Sequence, residues 1–279
     1  MFNLSSENLV SFIAGGAAGI AVDISLFPLD TLKTRLQSRQ GFWRSGGFRG
    51  IYAGLGPAAV GSAPNAAVFF CTYDLIKRIA CPYVDERWKP VVHMFAASCG
   101  EVSACVVRVP VEIVKQRCQV AASTSVIQVI RGIAENGGIR GFYQGYFSTL
   151  LREIPFSLIQ FPLWEALKSF WISHRKSRGF HDSLSASQVA VCGAIAGGVS
   201  AALTTPMDVA KTRIMLNTNK NGTNKVSLVL KEVYINQGIR GLFAGVLPRV
   251  LWISIGGAIF FGVNERTKSF LLPSTVLPD

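Results

Sequence analysis

Charged residues divide the chain into apolar stretches of the length that crosses a bilayer. Gly50 to Tyr73 and Ser183 to Met207 contain no Asp, Glu, Lys or Arg, and a spanning helix needs about 20 mostly apolar residues. Four further stretches are apolar but interrupted: Asn8 to Pro28 by Asp23, Pro90 to Pro110 by Glu101 and Arg108, Gly145 to Trp164 by Arg152 and Glu153, and Pro248 to Asn264 by Arg249. The pattern predicts six spans. Charge at membrane depth is costly and faces a partner or a water-filled path, so the six helices are expected to surround a polar pathway.

The chain also repeats itself, and an internal repeat decides a fold before any local feature does. Pro28, Asp30, Lys33 and Arg35 recur at identical offsets as Pro110, Glu112, Lys115 and Arg117, and again as Pro206, Asp208, Lys211 and Arg213. Each set is followed by a glycine-aromatic element: Gly50, Tyr52 and Gly54; Gly141, Tyr143 and Gly145; Gly241, Phe243 and Gly245. A third set ends each repeat: Tyr73, Asp74 and Lys77; Trp164, Glu165 and Lys168; Asn264, Glu265 and Lys268. The last two sets keep constant separation, so length differences fall in the loop before them. Three repeats, 1–80, 81–175 and 176–279, are expected.

Composition agrees with membrane embedding. Hydrophobic residues make up 49%, mean hydropathy is +0.36 and charged residues only 16%, against roughly 25% in an ordinary soluble domain. A net charge of +12 suggests a polyanion, but the basic residues are scattered between apolar stretches rather than gathered on one face. This favours anionic lipid over nucleic acid. Cys71, Cys81, Cys99, Cys105, Cys118 and Cys192 form no CxxC, and His93, His174 and His181 are not at ligand spacing, so no metal is expected. No glycine-rich nucleotide loop and no His-acid-nucleophile set is present, so the chain does not read as an enzyme and calls for no cofactor. The N-terminus has neither a basic n-region nor an Arg-rich amphipathic stretch, and no removable targeting peptide is expected.

The three motif sets resemble the signature of the mitochondrial carrier family, over essentially the whole chain. The resemblance implies an all-α membrane fold: six transmembrane helices in three pseudo-symmetric two-helix repeats, with three short matrix helices. It further implies alternating-access transport by a monomer in the mitochondrial inner membrane. By the family pattern a matrix gate pairs Asp30 with Lys115, Glu112 with Lys211 and Asp208 with Lys33, braced by Gln37 and Gln119, with Met215 departing from the brace. A cytoplasmic gate pairs Asp74 with Lys168, Glu165 with Lys268 and Glu265 with Lys77. Tyr73 and Trp164 precede two of its acids, and Asn264 departs from the aromatic. Gly54, Gly145 and Gly245 start the even-numbered helices, where the resemblance implies cardiolipin on free helix N–H groups; the other reading is glycine for close packing. Proline within a span removes a backbone hydrogen bond and kinks the helix, so the three signature helices are expected to converge. Gly15, Gly19, Gly193 and Gly197 would allow close helix crossing, where repeat two has Ala97 and Glu101. Lys and Arg are denser in the loops after the signature motifs, which agrees with their placement on the matrix side.

Substrate choice lies in cavity residues rather than gates. Asp23 lies two turns before Asp30, Glu101 close to three turns before Glu112, and Arg152 and Glu153 at the middle of their span. Gly61 and Trp252 occupy the positions corresponding to Arg152 in the other repeats. Three acids with Arg152, and with Arg108 as a further counter-cation, disfavour a purely anionic solute. They favour one carrying positive charge together with a carboxylate, although each acid could equally serve an architectural ion pair. Gly61 to Ala67, Leu151 to Glu165 and Thr204 to Arg213 are most similar to the branch of the family that carries S-adenosylmethionine. This implies import of S-adenosylmethionine in exchange for S-adenosylhomocysteine, with Asp23, Glu153 and Glu101 facing the cationic centres, Arg152 the carboxylate, and Phe69, Phe156 or Trp252 available to stack on adenine. Another cationic or zwitterionic solute, such as a basic amino acid, and a proton leak are the competing readings.

Overall fold

A computed structural model describes residues 6–85, 88–121, 124–176, 186–218 and 225–271. Among them are nine α-helices, a 3-10 turn at Cys81–Tyr83 and no strand. The helices are α1 (Ser6–Gln37), α2 (Leu55–Ala80), α3 (Lys89–Val120), α4 (Val126–Phe142), α5 (Tyr146–Lys176), α6 (Ala186–Leu203), α7 (Thr205–Leu216), α8 (Val226–Leu242) and α9 (Val246–Leu271). The six apolar stretches fall on α1, α2, α3, α5, α6 with the start of α7, and α9. By length and hydropathy, only Val92–Val120 qualifies alone as a span among the described residues. Gln188–Leu203 with Thr205–Leu216, and Val226–Leu242 with Val246–Gly257, qualify as pairs across a break. Charge explains part of the shortfall, because α5 carries Arg152 and Glu153 in its apolar stretch, and α2 is built from Gly, Ala, Ser, Pro and Asn as much as from Val and Phe.

The signature proline acts differently in different repeats. Pro28 and Pro110 lie inside continuous helices, whereas the chain breaks at Thr204, just before Pro206. The preceding residues explain the break. Ser200, Thr204 and Thr205 each return a side-chain hydroxyl to the carbonyl four residues earlier, at 2.7 Å, and such back-bonding loosens and bends a helix. Repeats one and two have no hydroxyl in the two positions before the proline.

The loop after the signature also differs. In repeats two and three it forms α4 and α8, each with one glycine of positive φ, Gly138 at 55° and Gly238 at 63°. A capping box between Ser125 and Gln128 starts α4, meeting two of the N–H groups a helix start leaves unsatisfied. Repeat one has too few residues for such a helix, so Ser38 to Gly54 runs in turns through five glycines of positive φ, at 41, 46, 47, 50 and 54. Three matrix helices were expected; two helices and a glycine-rich turn segment are found.

The chain divides into two compact units. The first joins Met1–Lys33, Pro155–Thr205 and Gly245–Asp279. Here α6 packs on α9, and a Cβ at Gly197 would lie 2.7 Å from Ile253, so glycine sets that helix separation. The second joins Thr34–Ile154 and Pro206–Ala244. It holds two apolar cores: Cys105, Val109, Ile113, Cys118, Val129, Ile133 and Met215 between α3 and α4, and Val209, Ala210, Ile214, Val229 and Val233 between α7 and α8. The signature helices of repeats two and three are thus each backed by the helix that follows.

Candidate carrier site

The second unit gathers the signature ends of all three repeats. The Nε–H of Arg35 donates to the Gln119 carbonyl at 2.8 Å, that of Arg117 to the Met215 carbonyl at 3.2 Å, and that of Arg213 to the Gln37 carbonyl at 3.2 Å. Each arginine reaches the backbone two residues beyond the arginine of the next repeat, and the third bond returns to the first repeat. The threefold relation seen in the sequence is therefore a closed ring of hydrogen bonds. Because the acceptor is a carbonyl, Met215 serves as well as Gln37 or Gln119. Its side chain, fully buried, joins the α3 and α4 core instead.

Around this ring lies a network of charge. Lys211 Nζ meets Glu112 at 2.7 and 2.8 Å, and Gln116 donates to the same carboxylate at 3.0 Å. Gln37 donates to Asp208 at 2.9 Å and accepts from the Thr212 hydroxyl at 2.7 Å. Arg152 pairs with neighbouring Glu153 and lies 3.8 Å from Asp208. Arg108 holds Glu101 with both guanidinium nitrogens and lies 3.7 Å from Glu153. Four charges, Glu101 and Arg108 from α3 and Arg152 and Glu153 from α5, thus form one chain of alternating sign. Through Arg152 it continues to the signature acid Asp208. Such charges persist at low exposure because each has a partner of opposite sign.

The remaining sites are arranged as follows. Asp23, Asp30 and Lys33 are half-buried on α1, in the first unit, as is Trp252 on α9, while Lys115 is half-buried on α3 in the second. Gly61 is buried on α2 against α3, where a Cβ would lie 2.5 Å from both Val111 methyls. Lys168 pairs with Glu165 on its own helix at 2.9 Å and sits 3.7 Å above the Trp164 ring. Tyr73 bonds His93 Nδ1 at 2.8 Å, and Asp74 and Lys77 border an open recess of about 440 Å³ with Arg78 and Cys81. The side chains of Glu265 and Lys268 lie outside the described residues.

Gly54, Gly145 and Gly245 all have positive φ, 91°, 93° and 74°, a region other residues rarely enter. A Cβ on Gly54 would come within 2.8 Å of the Lys115 carbonyl, and one on Gly145 within 2.9 Å of Met215. Conformation and close packing thus account for glycine at the first two positions, each against the signature helix of the next repeat. Beside Gly145, a cavity of about 550 Å³ is lined by Arg117, Arg140, Tyr143, Tyr146, Ser148 and Asn217 among others.

Sequence reasoning missed Gln116, Thr212 and the ring role of the three arginines. The last was signalled by their identical offsets, but a carbonyl acceptor leaves no trace in the sequence. It noted Arg249 as a charge within a span but gave it no site; the residue is buried in the first unit, donates to the Thr204 hydroxyl at 2.9 Å and lies 6.0 Å from the Phe156 ring.

Comparison with known proteins agrees with this architecture. The family described as mitochondrial carrier protein matches three times, over residues 5–83, 86–175 and 182–275. A zebrafish (Danio rerio) protein named mitochondrial S-adenosylmethionine carrier protein is 55% identical over 270 residues, covering 95% of this chain and 98% of that one. The Mus musculus protein of the same name is 55% identical over 264 residues, 94% of each chain. A Drosophila melanogaster protein named S-adenosylmethionine mitochondrial carrier protein homolog is 54% identical over 266 residues, covering 94% and 92%. With three matched repeats whose signature ends close into one ring, the chain belongs to the mitochondrial carrier protein family, and is a transporter rather than an enzyme.

Proposed function

We propose that this chain carries S-adenosylmethionine into the matrix across the mitochondrial inner membrane, in exchange for S-adenosylhomocysteine. The observation that carries the reading is the Arg152 and Glu153 pair, extended by Arg108 and Glu101. A solute with a carboxylate and cationic centres can substitute for either partner, placing its carboxylate on Arg152 and its sulfonium or ammonium against Glu153. Full-length relatives named for that solute support the choice. Asp23, Gly61 and Trp252 complete the proposed substrate contacts.

Transport proceeds by alternating access. The Glu112 and Lys211 pair, braced by Gln116, and the Asp208 and Gln37 contact support a matrix gate built from Asp30, Lys33, Glu112, Lys115, Asp208 and Lys211. Lys168 and Glu165, paired on one helix, supply two members of the cytoplasmic gate. Asp74, Lys77, Glu265 and Lys268 supply its other members, and Tyr73 braces it. Cardiolipin occupies the starts of the even-numbered helices at Gly54, Gly145 and Gly245. The cavity beside Gly145, with Arg117 and Arg140 on its wall, supports that placement.

The test is uptake of labelled S-adenosylmethionine into liposomes holding the purified chain and preloaded with S-adenosylhomocysteine, beside empty and ADP-loaded controls. Saturable uptake in the first alone, reduced at least about a hundredfold by Glu153→Ala or Arg152→Ala, is expected, since each removes the charge that the solute's opposite charge would meet. Absence of uptake by folded protein overturns the substrate assignment.

A further inference from the structure

The turn segment that replaces the helix in repeat one displays three aromatic rings on its surface. Phe42 packs edge-on to Trp43 at 5.1 Å and to Phe48 at 5.0 Å, and Trp43 to Phe48 at 6.2 Å. Trp43 is 77% exposed and Phe48 65%. Single exposed apolar residues are ordinary, whereas a contiguous aromatic patch marks an interaction surface. Arg44 and Arg49 flank the rings, both exposed, and the segment 38–54 contains no Asp or Glu.

The patch stands on a rigid base. Buried Arg35, besides its ring bond, donates to the carbonyls of Gly47 at 2.6 Å and Gly50 at 3.2 Å, and Ser38 and Ser45 share a hydrogen bond of 2.7 Å. Gly47 has φ of 55°, and a Cβ there would lie 3.1 Å from the Trp43 ring, so glycine lets the indole lie flat over the turn. A surface ordered in advance binds without further loss of conformational entropy.

We infer that this segment is an interfacial anchor, with Trp43 and Phe48 inserted at the headgroup level of the membrane and Arg44 and Arg49 set against anionic lipid headgroups. Charge selects this partner over a protein: the segment has no acid of its own, its Arg39 is already paired with Glu232, and the two remaining exposed arginines match an anionic leaflet. An indole with its polar N–H edge settles at the membrane–water boundary. The segment leaves α1 just after the signature motif, so it marks the level at which that end of the carrier meets the interface.

The experiment uses the full chain in vesicles containing phosphatidylglycerol, with Trp43→Phe as reference, because four of the five tryptophans remain in that variant. The fluorescence difference between the two isolates Trp43. It should fall by at least about half when the lipid is brominated near the glycerol end of the acyl chain, and resist aqueous iodide. Replacing Arg44 and Arg49 together by Ala should weaken bromine quenching about fivefold per arginine in the equilibrium between inserted and water-exposed loop, and only where phosphatidylglycerol is present. Quenching by iodide but not by brominated lipid, or quenching indifferent to both arginines and to lipid charge, overturns the inference. The readout needs no transported solute, so it stands or falls separately from the substrate assignment.

Discussion

The two ends of the repeats hold their charges in different ways. At the signature end, acids, amides and arginines of different repeats bond one another: Lys211 to Glu112, Gln37 to Asp208, and the three arginines around a ring. At the other end, Lys168 stays with Glu165 and Trp164 on its own helix, and Tyr73 bonds His93 rather than an acid. Burial separates them further. Asp208 and Lys211 side chains are 4% exposed, whereas Glu165 is 61% exposed. Similar acid and lysine spacings therefore make a more buried pair, Glu112 with Lys211, at one end and a more exposed one, Glu165 with Lys168, at the other. Motif spacing brings charges within reach, and burial decides what each contact is worth.

Substitutions can break that contrast. The largest loss of stability is expected for Arg35→Ala, about 4 kcal/mol by denaturation in detergent, since three carbonyls, two of them in buried bonds, lose a charged donor at once. Arg117→Ala should cost less, because that side chain is partly exposed; equal losses would show that burial does not separate the two arginines. Next comes Lys211→Ala, about 3 kcal/mol, which leaves Glu112 without its cation. Gly54→Ala follows at about 2 kcal/mol, combining an unfavourable φ with overlap on the Lys115 carbonyl. Lys168→Ala should cost under about 1 kcal/mol, as an exposed pair does, and its small effect should shrink further in high salt. A Lys168→Ala loss matching that of Lys211→Ala would erase the distinction between the two ends.

How much could be read beforehand differs from residue to residue. The helices and their order were legible, because charge gaps and proline offsets recur three times. The Glu112 and Lys211 pair was expected from the family resemblance, and Asp23, Glu101, Arg152 and Glu153 were grouped by their positions along the spans. Glu101, Arg152 and Glu153 lie in one network with Arg108, and Asp23 lies on α1 in the first unit. Three features were not legible. The break before Pro206 depends on hydroxyls returning to their own helix. The loss of one matrix helix depends on what a short, glycine-rich loop can close. The reach of Arg152 to Asp208 depends on which helices meet.

Repeat spacing and apolar length by themselves determined a helical membrane chain of three related parts, since these are properties of the chain taken in order. Tertiary structure alone decided which partners those residues have. Gly61 is a packing contact against Val111, Met215 keeps its ring position through its carbonyl, and Trp43 and Phe48 reach the surface. Each of these depends on atoms brought close from distant parts of the chain, and sequence spacing carries no record of that distance.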